Sequence, residues 1–389
     1  MFINSQPNEN QSEYIELLRL VGSLSNMFSE SPVPYLYYRA AENIFCKAFG
    51  AENLSRGDVS ADASFENLGI GLKTFLHKNG NTLQKVAEFN RGASDYQSQD
   101  SRDIVKTISS QRNERIKFTM RAHDLDEMIY HLVTREEMGF NIYEERMDLV
   151  DINNIRGIIN KGNNIYFHDG IHKYKFDKSK STLSKRFITK TPINRFEVSI
   201  LSDPYELILQ SSDQTIVSER REETYEQIYL PLYSTKSSKK EVQQGAGLNQ
   251  WNAKGRPRHQ DEIYIPIPKW IHNSFPDFFP YNLKAYQDAK RNNTSYESKP
   301  FKLELPNGKE LTSKICQENG KALMSNPNRE LGNWLLRHVL QVNPRELVTY
   351  DMLETIGIDS VIVSKINQFH YRIDFAAINS YENFEEEYK

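Results

Sequence analysis

The chain has 389 residues, 26% of them charged, a formal net charge of −3 and a mean hydropathy of −0.66. This length allows two domains with cores of their own, and the lack of any run of about eighteen apolar residues argues against a membrane span. The opening MFINSQPNENQSEY lacks the basic-then-apolar order of a secretion signal, and Cys46 and Cys316 lie too far apart in sequence to suggest a disulfide framework or a cysteine zinc site, so a reducing, cytoplasmic setting is expected. With a net negative charge, any nucleic-acid surface has to be a local basic patch.

Residues 10–27 carry Tyr14, Leu17, Leu18, Val21, Leu24 and Met27 at the spacing of one helix face. The prolines of Ser31-Pro-Val-Pro end that stretch. A second helix over 35–49 aligns Tyr38, Ala41, Phe45 and Phe49. Glu42 lies beside this apolar line. It is either a carboxylate at the helix edge or a metal ligand or orienter projecting toward Asp62.

Residues 58–75, DVSADASFENLGIGLKTF, read as a polar loop feeding one short strand. In that strand Ile70, Leu72 and Thr74 point one way and Gly71, Lys73 and Phe75 the other. Asp62 precedes Lys73 by eleven positions. An acid on one strand and a lysine on the next suit metal-dependent phosphodiester hydrolysis: the carboxylate holds a divalent cation and the lysine steadies the attacking water or the phosphate charge. A turn at His77-Lys-Asn-Gly follows, and residues 82–90 read as a helix that places Gln84 and Glu88 on one face. Gly71, two positions before Lys73, cannot bind metal, so another residue has to supply a second carboxylate. Glu88 is the first choice and Glu42 the second, with a solvated Glu88 as the plain alternative.

Residues 101–118 form a charged helix with Arg112, Asn113, Glu114 and Arg115 clustered. Strands follow at 127–135, 141–148 and 155–159. Residues 164–176 read as a hairpin turning at Asp169-Gly170, flanked by His168 and His172. Residues 179–195 interleave hydroxyls with Lys180, Lys185, Arg186, Lys190 and Arg195 and contain no acid. That mixture fits phosphate oxygens or a solvated face. One or two strands over 196–209 close a first domain, 1–210. The polar stretch 211–228 reads as a linker to a second domain, 229–389.

The second domain opens with GAGLNQWNAKGRPRH and EIYIPIP. Glycines and prolines forbid a helix there, so a basic extended arm running into an edge strand is expected. Asn249, Gln250 and Asn252 are candidate amide readers, Lys254, Arg256 and Arg258 candidate cations, and Trp251 an anchor. Arginine can fork onto guanine, and Asn or Gln onto adenine, in the major groove. Residues 301–305 and 310–315 form a hairpin around Pro306-Asn-Gly. A second loop, 317–328, offers Lys321, Ser325, Asn326 and Asn328. Helices at 330–340 and 349–356 and strands at 360–366 and 371–375 complete a small barrel.

The blocks GLNQWNAKGRPR, EIYIPIP, FKLELPNG, QENGKALMSNPN, ELGNWLLR and YRIDF resemble the pseudobarrel DNA-recognition domain of plant transcription factors and of the NgoFVII, BfiI and EcoRII restriction enzymes. The resemblance implies two arms gripping the major groove, residues 249–258 and 321–328. The phospholipase-D-like mechanism of that group is not expected, because no lysine stands two positions after His172 or His77. Instead ADASFENLGIGLKTF and QKVAEFNR resemble a diverged PD-(D/E)XK endonuclease domain. Together the two resemblances imply a cytoplasmic type II restriction endonuclease. It would have an α/β amino-terminal nuclease domain, a mixed sheet flanked by helices, and a β-rich carboxy-terminal pseudobarrel. They further imply Mg2+ held by Asp62 and Glu88, a homodimer on double-stranded DNA, no small-molecule cofactor beyond the metal and a matching methyltransferase. A methylcytosine-dependent enzyme of the same architecture and a non-catalytic DNA-binding regulator remain alternatives.

Overall fold

The structure, a computed structural model, describes residues 1–54, 59–89, 99–212, 225–236, 239–296 and 298–389. It divides into two compact units, Met1–Met120 with Leu125–Arg220, and Arg121–Asp124 with Arg221–Lys389. Most of the expected linker, residues 213–224, lies outside the described residues. No helix among the described residues is long and apolar enough to cross a membrane.

The first unit runs α1 (Phe2–Ser5), α2 (Asn8–Ser23), α3 (Tyr38–Phe49), β1 (Glu52–Asn53), β2 (Ala63–Phe65), β3 (Leu68–Leu76), β4 (Asn81–Glu88), α4 (Ser101–Ala122), β5 (Glu127–Glu136) and β6 (Gly139–Arg146). It continues through β7 (Arg156–Lys161), β8 (Asn164–His168), β9 (Lys173–Asp177), β10 (Thr182–Ile188), β11 (Asn194–Glu197) and α5 (Pro204–Ser212). A mixed six-stranded sheet has the order β1-β2-β3-β5-β6-β11, and an antiparallel five-stranded sheet the order β4-β10-β9-β8-β7. Strand alternation gives the larger sheet two apolar faces. Ile70, Leu72, Val133 and Ile142 pack with Tyr14, Leu18, Phe45 and Phe49 of α2 and α3. On the other face Phe75, Tyr130, Leu132 and Tyr143 meet Ile116 of α4 and Phe187 of β10.

Two expected elements are corrected. Residues 82–90 were expected to be helical, but residues 81–88 are β4. Its backbone groups pair with β10, from Thr182 opposite Glu88 to Ile188 opposite Asn81, and this ladder outweighs the helix-forming tendency of QKVAE. Residues 196–209 were expected to be strands. Only β11 is one, and Pro204 then starts α5, a position where its missing N–H costs nothing.

The second unit contains β12 (Glu226–Pro231), β13 (Ile265–Pro266), α6 (Lys269–Ser274), α7 (Leu283–Arg291), β14 (Phe301–Glu304), β15 (Glu310–Cys316) and β16 (Ala322–Ser325). Next come α8 (Glu330–Gly332), extended by a wide turn over Asn333–Val339, then α9 (Tyr350–Ile356), β17 (Ile358–Asn367), β18 (His370–Ala377) and α10 (Ser380–Tyr388). One seven-stranded sheet, ordered β12-β17-β18-β14-β15-β16-β13, curls so that its edge strands approach each other, giving a nearly closed barrel. Ile228, Leu303, Leu323, Val363, Ile373 and Phe375 are buried in it. The mixed α/β architecture with a pseudobarrel is the one expected. The expected extended arm departs from expectation at its start, where Gly247–Asn252 winds into a 3-10 turn.

Candidate active site and nucleic-acid interface

In the first unit β2 and β3 form a tight antiparallel pair, with Ala63 opposite Ile70. Asp62 immediately precedes β2, and its backbone N–H donates to the Ile70 carbonyl at 2.8 Å. Its side chain is held in turn: the Leu72 N–H donates to Asp62 Oδ2 at 2.7 Å, and Lys73 Nζ stands 3.6 Å from the same oxygen. Both side chains keep access to solvent, at 25% for Asp62 and 31% for Lys73.

Glu42 enters this corner from α3. Its neighbours Ala41 and Phe45 are committed to the core, which leaves the Glu42 side chain only 5% exposed. Burial, followed by the Asp62 charge, raises its carboxyl pKa above the ordinary glutamate value, while Arg39 and Lys73 pull it down. Arg39 donates from Nη1 to Glu42 Oε2 at 3.0 Å and is itself 45% exposed. Two acids and two bases thus meet at one edge of the sheet. Arg39 was not singled out from sequence, although its i,i+3 spacing from Glu42 is the signal that finds it. One turn after Glu42, burial pushes the Cys46 thiol up to about 11, so it offers no thiolate at neutral pH.

Glu88 does not join this group in the sheet architecture. It ends β4 in the other sheet, is 54% exposed and pairs with Lys85 at 2.8 Å. Gly71 lies on the packed face of β3, where a Cβ would come within 2.6 Å of Met147 Cε. A side chain there would have to displace the Met147 methyl, the free end of a flexible chain, beside the Tyr130 ring at 3.3 Å. Among the described residues no three His, Cys, Asp or Glu groups form a set that holds a metal unaided. Two carboxylates, however, suit magnesium, which commonly takes one or two from protein and completes its shell with water and substrate phosphate.

The basic stretch divides by strand alternation. Lys180 and Arg186 are not buried, and Arg186 donates to Asn81 Oδ1 at 2.9 Å. Lys185 points inward, fully buried over the Phe187 ring and paired with Glu145. The expectation that it touches DNA is therefore corrected. Near the Asp169 turn, His172 pairs with Asp148 at 3.2 Å, and His168 Nδ1 accepts from the Gly170 N–H at 3.3 Å.

In the second unit the first arm is anchored rather than free at its root. Asn249 is fully buried, donates from Nδ2 to the Val348 carbonyl at 2.9 Å and accepts from the Val348 N–H at 2.9 Å. It clamps the chain and has no access to a base, which corrects its expected role. Gln250 and Trp251 are half-buried, and Asn252 donates to the Gln244 carbonyl at 2.9 Å. Beyond them Lys254 is exposed. Arg256 forks onto Glu262, with its shorter contact at 2.7 Å, and Arg258 donates to the Ala253 carbonyl at 2.7 Å.

The second arm shows the same split. Ser325 is buried, accepts from the Leu331 N–H at 2.9 Å and donates to the Pro327 carbonyl, so it ties the start of the following helix to β16 and does not face a base. Lys321 and Asn326 are exposed and Asn328 is partly so. Behind this arm Gly332 lies where a Cβ would sit 1.9 Å from the Asp261 carbonyl oxygen, so only glycine permits the approach. Arg337 locks the same contact, 2.7 Å from Asp261.

Residues 223–367 match the family model of the NgoFVII C-terminal B3-like DNA-binding domain. The match runs from before β12 to the end of β17 and includes both arms. It supports DNA binding, to double-stranded and specific sequences, as the role of the second unit, in the setting of a restriction system. No curated protein matches the chain.

Proposed function

We propose that the chain is a type II site-specific endonuclease. The second unit grips duplex DNA with the exposed cations and amides of its two arms, and the first unit hydrolyses a phosphodiester at the Asp62–Lys73 corner. The observation that carries this reading is the 3.6 Å pair of Asp62, at the mouth of the β2–β3 pair, with Lys73 of β3, and Glu42 beside both on a neighbouring helix, in a chain that also bears a DNA-binding domain.

Asp62 and Glu42 would hold the magnesium ion. Bound there, the metal supplies Lewis acidity to the scissile phosphate and lowers the pKa of a bound water. The chain's own groups do the rest. The Leu72 amide fixes one Asp62 oxygen, so the carboxylate presents a set direction. Lys73 sits where its charge offsets negative charge developing on the phosphate, a preorganised interaction in a partly dry corner. Arg39 balances Glu42 in the free enzyme.

The test is plasmid cleavage with magnesium, on methylated and unmethylated DNA, comparing the intact chain with Asp62→Ala and Lys73→Ala. Discrete fragments that vanish in both variants are expected. Fragments persisting in both would move the chemistry away from this corner. Cleavage confined to methylated DNA would favour the methylcytosine-dependent form of the same enzyme. A second reading, a DNA-binding regulator with a structural first unit, draws on Gly71: the position where the nuclease pattern has an acid carries none and faces the packed Met147 and Tyr130 side chains. Tight binding without cleavage of either DNA would make that reading the better one.

A further inference from the structure

The second unit contains a pocket of about 750 Å³ that shares only Lys321 with the roles above. Its walls include Tyr233, Tyr264 and Trp270, and its lining also carries Lys236, Lys269 and Lys321. The one acidic group in the lining, Glu385, is already paired with Lys389 at 2.8 Å. Lys236 and Lys269 have no carboxylate at ion-pair distance among the described residues, whereas the charge of Lys321 acts on nearby Glu318 and helps to lower its pKa. A chain of net charge −3 therefore gathers lysines around an aromatic pocket.

The walls are also rigid. Trp270 Nε1 donates to the Tyr381 hydroxyl at 2.9 Å, and its ring packs on Phe384 with centroids 5.6 Å apart. Gln243 donates from Nε2 to Ser234 Oγ at 3.1 Å, and Asn273 adds a second amide to the lining. An aromatic wall, amide side chains and a lysine rim are what a nucleotide needs: a stacking surface for the base, hydrogen-bonding groups for its edge and cations for its phosphate.

Position links the pocket to DNA. Ala246 and Gly247 in its lining directly precede the first arm, Tyr264 to Lys269 follow it, and Lys321 begins the second arm. The pocket opens at the roots of both arms. The volume exceeds that of one nucleotide and falls within the ordinary range for a small-ligand site.

We propose that this pocket binds a nucleoside phosphate. Two sources offer that chemistry: a nucleotide swung out of the bound duplex, or a free mononucleotide. Two arms of one experiment separate them. In the first, the full chain at low salt is titrated calorimetrically with each deoxynucleoside monophosphate and with inorganic phosphate. In the second, 2-aminopurine is walked through a duplex that the protein has selected from a random pool, and its fluorescence is read on binding. Both arms are repeated with Lys236→Ala/Lys269→Ala, which alters only exposed side chains, and with Trp270→Leu.

Mononucleotide binding at least tenfold tighter than inorganic phosphate, weakened about tenfold by the lysine pair, supports the site. A 2-aminopurine signal lost in the variants supports it too and assigns the source to bound DNA, whether or not the free mononucleotide binds. Mononucleotide binding without such a signal assigns the source to free nucleotide. No response in either arm overturns the proposal. So does inorganic phosphate that binds as well as the nucleotides without any 2-aminopurine signal, or a 2-aminopurine signal that survives in both variants.

Discussion

The Asp62 carboxylate is fixed by a backbone amide, whereas Glu42 is fixed by a side chain, Arg39, and that difference governs how the two respond to substitution. Glu42 is nearly buried beside a second carboxylate, so burial and then Asp62 raise its pKa while Arg39 and Lys73 work against that rise. Glu42→Gln removes one of two candidate metal ligands and should lower the rate of plasmid cleavage at least 100-fold. Glu88→Gln breaks only an exposed pair with Lys85, worth well under about 1 kcal/mol, and should leave the rate within about twofold. Equal rates for Glu42→Gln and the unchanged chain would remove Glu42 from the centre. The pH dependence follows from the same contacts. A metal-holding carboxylate has to be ionised, and the Glu42 pKa is raised by burial and by Asp62, so activity should fall on acidification sooner than an ordinary glutamate would dictate. Arg39→Ala takes away an influence that lowers this pKa. The acid limb of the pH–rate profile should then move to higher pH, and a limb that stays in place would assign it to another group.

At the scale of elements, what was legible in the sequence is what is local. The acid–lysine pair lies within one β2–β3 hairpin, so a spacing of eleven residues was enough to find it. The approach of Glu42 depends on how α3 packs across the sheet, and nothing in the spacing of residues 42 and 62 states that. Glu88 was misplaced because QKVAE carries helix-forming residues that pairing with β10 overrides. In the second unit the turns and hairpins were readable from Pro-Asn-Gly and from alternation, but short polar residues in loops were not. A buried Asn that clamps a backbone and an exposed Asn that reads a base look alike in sequence. Asn249 is the buried case, Asn326 is exposed and keeps the reader's role only as a proposal, and Lys185 shows how strand alternation can bury a cation in a basic run. This distinction can be measured. Asn249→Ala leaves the Val348 N–H and carbonyl without partners and should cost about 1–3 kcal/mol of stability. Denaturant midpoints should fall, and affinity for all DNA sequences should fall together. A loss of selectivity at one base pair, with stability unchanged, would instead make Asn249 a reader.

At the scale of the whole molecule, the proposed reading gives each unit one half of the task. It places one centre, at Asp62 and Lys73, in the first unit and one pair of arms in the second. One chain therefore supplies one centre, and cutting both strands of a duplex calls for two chains related by symmetry. The complex with DNA should have a protein mass twice the 45.4 kDa of the chain. Mixing experiments test the consequence directly. Asp62→Ala removes a carboxylate of the centre while leaving the arms of the other unit untouched, so the variant should bind DNA within about twofold of the intact chain. Titrated into the intact enzyme on a plasmid with one target site, it should form mixed pairs in which only one centre works. Nicked circles should then accumulate at the expense of linear product and peak near equal amounts of the two chains. If linear product instead declines in simple proportion to dilution, with no rise in nicked circles, each intact chain cuts both strands by itself in sequential turns. The centre would then have to serve opposite strand polarities, and one pair of arms would have to release and rebind between the two cuts.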